Sequence, residues 1–362
     1  MLEIWLTTYL LFLFFPPFVI IILKIKDSIK YQQIISFASG YMIRNQWYAV
    51  LNSKELKKNK ILGMTRFGEK LVFWRESNGE IGCIFDKCTH RGAALSKGKI
   101  LSNNMIQCPF HGFEYDKTGK VTKIPAIGKN SPVPERYKVH AYPAKEAFGL
   151  IWVWWGEQLK EYPPLPFFED LDGFLYATYK DYWPVHYSRA IENQLDVVHL
   201  PFVHYNTIGR GCRTLIDGPI TKWSDNELQV WVYMRVDDGS KPQTEKELPK
   251  PTRPALLHFR FGNIWQNRLS DKFRIFAAFT PVDEENTIIY LRLYQKIIRF
   301  PLLGKLLTRI SHRFNRRILN QDKRVVITQQ PKKSSYKMDE KLIPGDKPII
   351  EYRKRREELL KL

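Results

Sequence analysis

The chain has 362 residues, 44% of them hydrophobic, with Lys+Arg 57 against Asp+Glu 37 for a formal net charge of +20. This is enough for two ordinary domains and too apolar for a disordered polymer. The basic excess speaks to partners rather than fold, and without a nucleic-acid-binding motif it points to an anionic lipid surface or an acidic redox protein, not to nucleic acid. Four cysteines, Cys83, Cys88, Cys108 and Cys212, are too few for a disulfide scaffold and suit a reducing compartment.

In chain order, residues 4–23 carry no charge and have the length of a bilayer-spanning helix. Lys24, Lys26 and Lys30 follow, and the positive-inside tendency puts that flank on the cytoplasmic side. The expectation is a membrane anchor over residues 1–24, with the catalytic part facing the cytoplasm. If the working chain starts near Met42, the protein is cytoplasmic instead. Residues 45–155 read as short strands, among them 70–74, 81–85 and 150–155, separated by turn residues. The proline-rich stretch 162–166 reads as a linker. Beyond it, 190–199 has a helical pattern, and 256–265, 273–280 and 287–295 alternate as strands. Residues 302–324 form a basic amphipathic helix, and 351–362 a charged helix with a solvated face.

Two short loops each offer one sulfur and one nitrogen. They are Cys88-Thr89-His90 within CTHRGAALSKG, and Cys108-Pro109-Phe110-His111 within CPFHGFEYD. A [2Fe–2S] cluster with two thiolates on one iron and two imidazoles on the other needs this set, and the neutral imidazoles raise its potential. Gly92, Pro109 and Gly112 suit backbone that turns tightly around such a group. A structural Cys2His2 zinc site is the alternative, but zinc fingers pair like with like at short spacing, and here each loop mixes the two. Cys83 has the spacing of a substitute ligand but sits in a strand pattern, as a buried hydrophobe would.

A second constellation lies in IENQLDVVHLPFVH. On a helix Asn193, Asp196 and His199 share an arc of about 120°, and Pro201 disfavours helix at Leu200, so the helix ends near His199 and His204 turns back. Two histidines and one carboxylate with open positions make the facial triad of oxygen-activating non-haem Fe(II) sites.

The two ligand loops resemble those of Rieske domains in the form found in oxygenases, over about residues 47–155. The histidine segment resembles the iron-binding motif of the catalytic domain in Rieske non-haem iron oxygenases. The resemblance implies cluster ligation by Cys88, His90, Cys108 and His111, and iron ligation by His199, His204 and a late-helix aspartate. Asn320-Gln321-Asp322 fits that aspartate, with Asp339 and Glu284 as weaker substitutes. It further implies that Asp196 bridges an iron ligand and a cluster histidine of a neighbouring subunit, and that Asn193 sits beside the iron.

The expected fold is α+β. An all-β Rieske [2Fe–2S] domain over 45–156 is followed by a helix-grip (START-like) catalytic domain with mononuclear Fe(II) over 165–362. The expected assembly is a homotrimer with head-to-tail contacts. The implied activity is that of a mono- or dioxygenase acting with O2 on a hydrophobic organic molecule, by hydroxylation or oxidative demethylation. No GxGxxG loop opens a helix after a strand, so electrons come from a separate ferredoxin or flavin reductase, for which residues 299–324 offer a basic docking helix. A membrane-tethered Rieske electron carrier without oxygenase chemistry is the alternative. No cysteine follows Cys212 and no late apolar run could span a membrane, which argues against the chlorophyll-related branch of the family.

Overall fold

The computed structural model describes residues 42–298 and 300–362. The anchor expected over residues 1–24 lies outside the described residues. Among the described ones no helix is long and apolar enough to cross a membrane.

Residues 46–155 form three small antiparallel sheets. β1 (Gln46–Asn52), β10 (Leu150–Trp155) and β9 (Ala144–Ala147) form the first, in the order β1-β10-β9. β10 reads LIWVWW and is buried at every position, as expected of a strand covered on both faces. β2 (Ile61–Arg66), β3 (Glu69–Arg75) and β4 (Ile81–Phe85) form the second sheet. The third is four short strands, β5 (Lys99–Ile100), β6 (Ile106–Gln107), β7 (Glu114–Tyr115) and β8 (Val121–Lys123). The Cys/His loops are the connections between β4 and β5 and between β6 and β7.

The C-terminal half is built on one seven-stranded antiparallel sheet. Its strands are β11 (Leu175–Trp183), β12 (Leu215–Ser224), β13 (Glu227–Arg235), β14 (Leu257–Arg260), β15 (Ile264–Ser270), β16 (Phe273–Pro281) and β17 (Thr287–Gln295). Their order is β11-β17-β16-β15-β14-β13-β12. The strand expected over 256–265 is in fact a hairpin, β14 and β15, turned by Gly262 at φ 92 and Asn263 at φ 59. A Cβ on Gly262 would come within 2.6 Å of the Trp47 carbonyl, so the turn needs glycine for space as well as for φ.

Among the described residues four α-helices accompany the sheet: α1 (Tyr187–Leu195), α2 (Leu200–Val203), α3 (Pro301–Val326) and α4 (Lys347–Leu360). α3 packs against β11 and β17. The helix expected over 190–199 stops at Leu195, because the Asp196 carboxylate accepts from the amides of Val198 (2.7 Å) and His199 (3.2 Å) and so closes a turn of its own. Leu200 is helical despite preceding proline, since Pro201 occupies the first turn of a new short helix.

The solvated helix expected at the C-terminus is corrected as well. α4 buries Tyr352, Arg353 and Arg356. Arg353 grips Glu192 of α1 through two hydrogen bonds of 2.9 and 2.8 Å, and Arg356 donates to the Tyr187 hydroxyl at 3.0 Å. Charge periodicity alone could not reveal this, because the partners lie more than 150 residues away in sequence.

The two halves share a core. Trp47, Trp152 and Trp154 from the first pack in one apolar cluster with Phe167, Phe276 and Tyr294 from the second. Arg292 of β17, fully buried, donates to the carbonyls of Phe148 (2.6 Å) and Gly149 (2.8 Å), tying the sheet to the β9–β10 turn.

Candidate metal centres

The Cys88 and Cys108 loops are built alike. In each, the cysteine amide donates to the carbonyl five residues on (Cys88 to Ala93, 2.7 Å; Cys108 to Phe113, 2.8 Å). In each, the glycine four residues on returns a bond to the cysteine carbonyl (Gly92, 2.9 Å; Gly112, 3.1 Å). Both glycines have φ of 74°, a left-handed conformation that side chains disfavour. The result sets both thiols inside the protein and both imidazoles at the exposed tip, with ring centroids 4.6 Å apart. His90 also stacks on Phe113 at 4.9 Å.

Burial, together with the neighbouring Cys88, pushes the Cys108 thiol up, against the pull of the Phe110 and His111 amides. The Cys88 and Cys108 sulfurs thus stand as neighbours in the interior. With the paired imidazoles, this donor set fits a [2Fe–2S] group. The Tyr115 hydroxyl donates to Cys88 Sγ at 3.1 Å and accepts from the Thr89 amide at 3.0 Å. Tyr115 was not singled out from the sequence; its place two residues after Phe113 in CPFHGFEYD is the only signal. Cys83 is buried in β4, where desolvation raises its thiol well above the usual range.

The second centre joins α3 to the turn after α1. Asp322 Oδ1 lies 2.8 Å from His204 Nε2 and 3.3 Å from His199 Nε2. One donor atom from each of these three side chains lies within 4.8 Å of the others. Yet Asp322 Oδ1 is buried without a hydrogen bond, so the groups crowd one point without satisfying one another. Burial pushes His199 down, but the carboxylates of Asp196 and Asp322 outweigh it and hold the imidazole up at about 9. Burial pushes Asp322 up, and His199 and His204 pull it below the usual carboxylate range. The pocket thus favours positive charge at its centre, and two imidazoles with one ionised carboxylate fit a mononuclear iron.

Gln321, next to Asp322, accepts from His204 Nδ1 at 3.0 Å, which fixes that ring with Nε2 toward the centre. Thr207 donates to Gln321 at 2.8 Å, and Gln321 donates to Asn206 at 2.7 Å, so its amide is itself held. Asp196 Oδ2 stands 3.5 Å from His199 Nδ1. Asn193 lines the same cavity, and its buried amide nitrogen makes no hydrogen bond. The alternatives fall elsewhere: Asp339 is exposed beside Lys341, and Glu284 is exposed in a turn.

The three donors end a cavity of about 660 Å³ between α3 and the sheet. Its walls are mostly apolar, including Val232, Met234, Leu257, Trp265, Leu291 and Leu293.

Comparison with known proteins follows this division. Residues 46–143 match the Rieske [2Fe-2S] domain, and residues 183–362 match the vanillate O-demethylase oxygenase C-terminal domain. The chain belongs to the Rieske oxygenase family. Its cofactors are a Rieske [2Fe–2S] cluster and a mononuclear iron. Among its relatives is chlorophyllide a oxygenase of Chlamydomonas reinhardtii, 38% identical over 47% of this chain and 26% of that protein. The oxygenase subunit of 3-chlorobenzoate-3,4-dioxygenase from Comamonas testosteroni is 29% identical over 69% of this chain and 59% of that one. The structure of NdmA from Pseudomonas putida CBB5 superposes with a TM-score of 0.69 at 24% identity, covering 88% of this chain and 91% of that one. That likeness shows the fold. The matches span only 26–38% of the length of the first curated relatives.

Proposed function

We propose that the protein is an O2-dependent Rieske oxygenase that hydroxylates or oxidatively demethylates a hydrophobic small molecule, using electrons from a separate ferredoxin or flavin reductase. One observation carries the reading: the His199, His204 and Asp322 donors converge at the end of a large apolar cavity, in a chain that also holds the cluster loops. An electron carrier without chemistry of its own has no use for such a cavity.

In this reading Cys88, His90, Cys108 and His111 hold the cluster, and His199, His204 and Asp322 hold the iron. When bound, the cluster passes single electrons and the iron activates O2. The chain's own residues do the rest. Gln321 holds the His204 ring, the apolar walls strip water from the substrate, and Asn193 offers a polar contact at the metal end of the cavity.

His90 and His111 are exposed, and no residue of the cluster loops lines the iron cavity. This supports a head-to-tail homotrimer in which Asp196, partly exposed beside His199, receives a neighbour's cluster histidine. We assign residues 45–156 to the Rieske domain and 165–362 to a helix-grip catalytic domain, with α3 as the gripped helix. Residues 1–24 are assigned to a membrane anchor that leaves the catalytic part on the cytoplasmic side.

The test is iron content with turnover. About three irons per chain and O2 uptake coupled to oxidation of a lipophilic molecule are expected. About two irons, with electron transfer but no O2 uptake, would establish the carrier instead.

A further inference from the structure

The outward face of α3 is not the face of a helix meant for water. In its first half Leu302, Leu303, Leu306, Ile310 and Phe314 are each at least 50% exposed. Their spacing places them on one arc of about 120°. Ile297 and Phe300, just before the helix, are 51% and 62% exposed. Lys305, Arg309 and Arg316 flank this stripe, all exposed. Farther along the helix, Arg313, Arg316, Arg317 and Arg324 line a surface cleft. The only carboxylate in α3 is Asp322, which is buried.

The stripe also reaches the cavity. Phe314 lines it while 51% exposed, and so do Leu269 at 53% and Ile208 at 50%. The rim of the cavity is therefore apolar and continuous with the stripe.

Whatever covers this face must accept leucines and arginines together. A second copy of the chain brings the same net charge of +20. An acidic protein satisfies the arginines but leaves the leucines in water. An anionic bilayer offers acyl chains to the stripe and phosphates to the cleft. We propose that the first half of α3, with its arginine cleft, docks on an anionic lipid surface, so that the cavity opens toward the acyl chains. The proposal rests on this surface and not on the oxygenase reading, and its test involves no turnover.

The probe is an environment-sensitive fluorophore on the full chain at Ile310→Cys. Cys212 is the one exposed cysteine among the described residues and is replaced by Cys212→Ser. Vesicles of mixed phosphatidylglycerol and phosphatidylcholine should shift the emission to the blue, and phosphatidylcholine alone should shift it much less. A control fluorophore at exposed Asn78→Cys should not move. Removing Arg316 and Arg317 by glutamine substitution should weaken the vesicle response about fivefold per charge. Leu306→Glu should abolish it. Three results would overturn the proposal: vesicles that bind the protein but leave the Ile310 probe unshifted, a shift that grows with protein concentration without vesicles, or a shift produced by an acidic ferredoxin and not by vesicles.

Discussion

Gln321 shows how a neighbour of a proposed metal ligand is tied into the candidate site. Its carbonyl oxygen accepts a hydrogen bond from His204 Nδ1, which turns Nε2 toward Asp322. Gln321→Leu should therefore weaken iron binding or activity by about 10–100-fold while the visible spectrum of the cluster stays unchanged. Asp322→Ala removes the only anionic donor of the set. Its iron content should fall from about three to about two per chain, again with the cluster spectrum intact, as read by metal analysis beside absorbance. An Asp322→Ala protein that keeps full iron and turnover would show that another carboxylate serves.

At the scale of elements, α4 is tied to α1, the helix that leads into the proposed iron site. Glu192 sits at 4% side-chain exposure between Arg353 and Arg189, one turn before the Asp196 turn that leads to His199. A buried carboxylate is costly unless paired, so removing one partner exposes that cost. Arg353→Ala should destabilise the protein by about 3 kcal/mol, near the low end for broken buried pairs, because Arg189 remains. The denaturation midpoint should drop accordingly, and iron should be lost before the cluster. Equal stability to the parent would mean that α4 is only a solvated cover.

For the whole molecule, His186 is one source of acid sensitivity. Burial, with Arg356, Lys333 and Arg189 nearby, pushes its imidazole from 6.5 down to about 2. The native ring thus stays neutral below pH 6.5, while the unfolded chain takes up the proton. The unfolded state binds more protons, so stability falls on acidification from pH 6.5 downward, by about 1.4 kcal/mol per pH unit. His186 also caps α1 by accepting from the Ser188 amide at 3.2 Å. His186→Asn keeps a capping side chain and removes the titration. Its stability should vary less between pH 7 and pH 5 than that of the parent, as read by urea unfolding at each pH. The shared core and the Arg292 tie further imply one cooperative transition for the two halves, with cluster absorbance and far-ultraviolet dichroism lost together.

What the sequence determined by itself is local. The mixed Cys/His loops are legible because four candidate ligands and two turn glycines fall within two short windows. β4, β10 and β17 are legible to the residue because apolar runs bounded by turn residues specify buried strands. The tertiary structure decided what distance hides: that Asp322 meets His199 and His204 across more than a hundred residues, that Gln321 holds His204, and that the charged C-terminal helix is buried against α1. Periodicity reports which face of an element is apolar, whereas a charge buried by its partner looks the same in sequence as a charge in water.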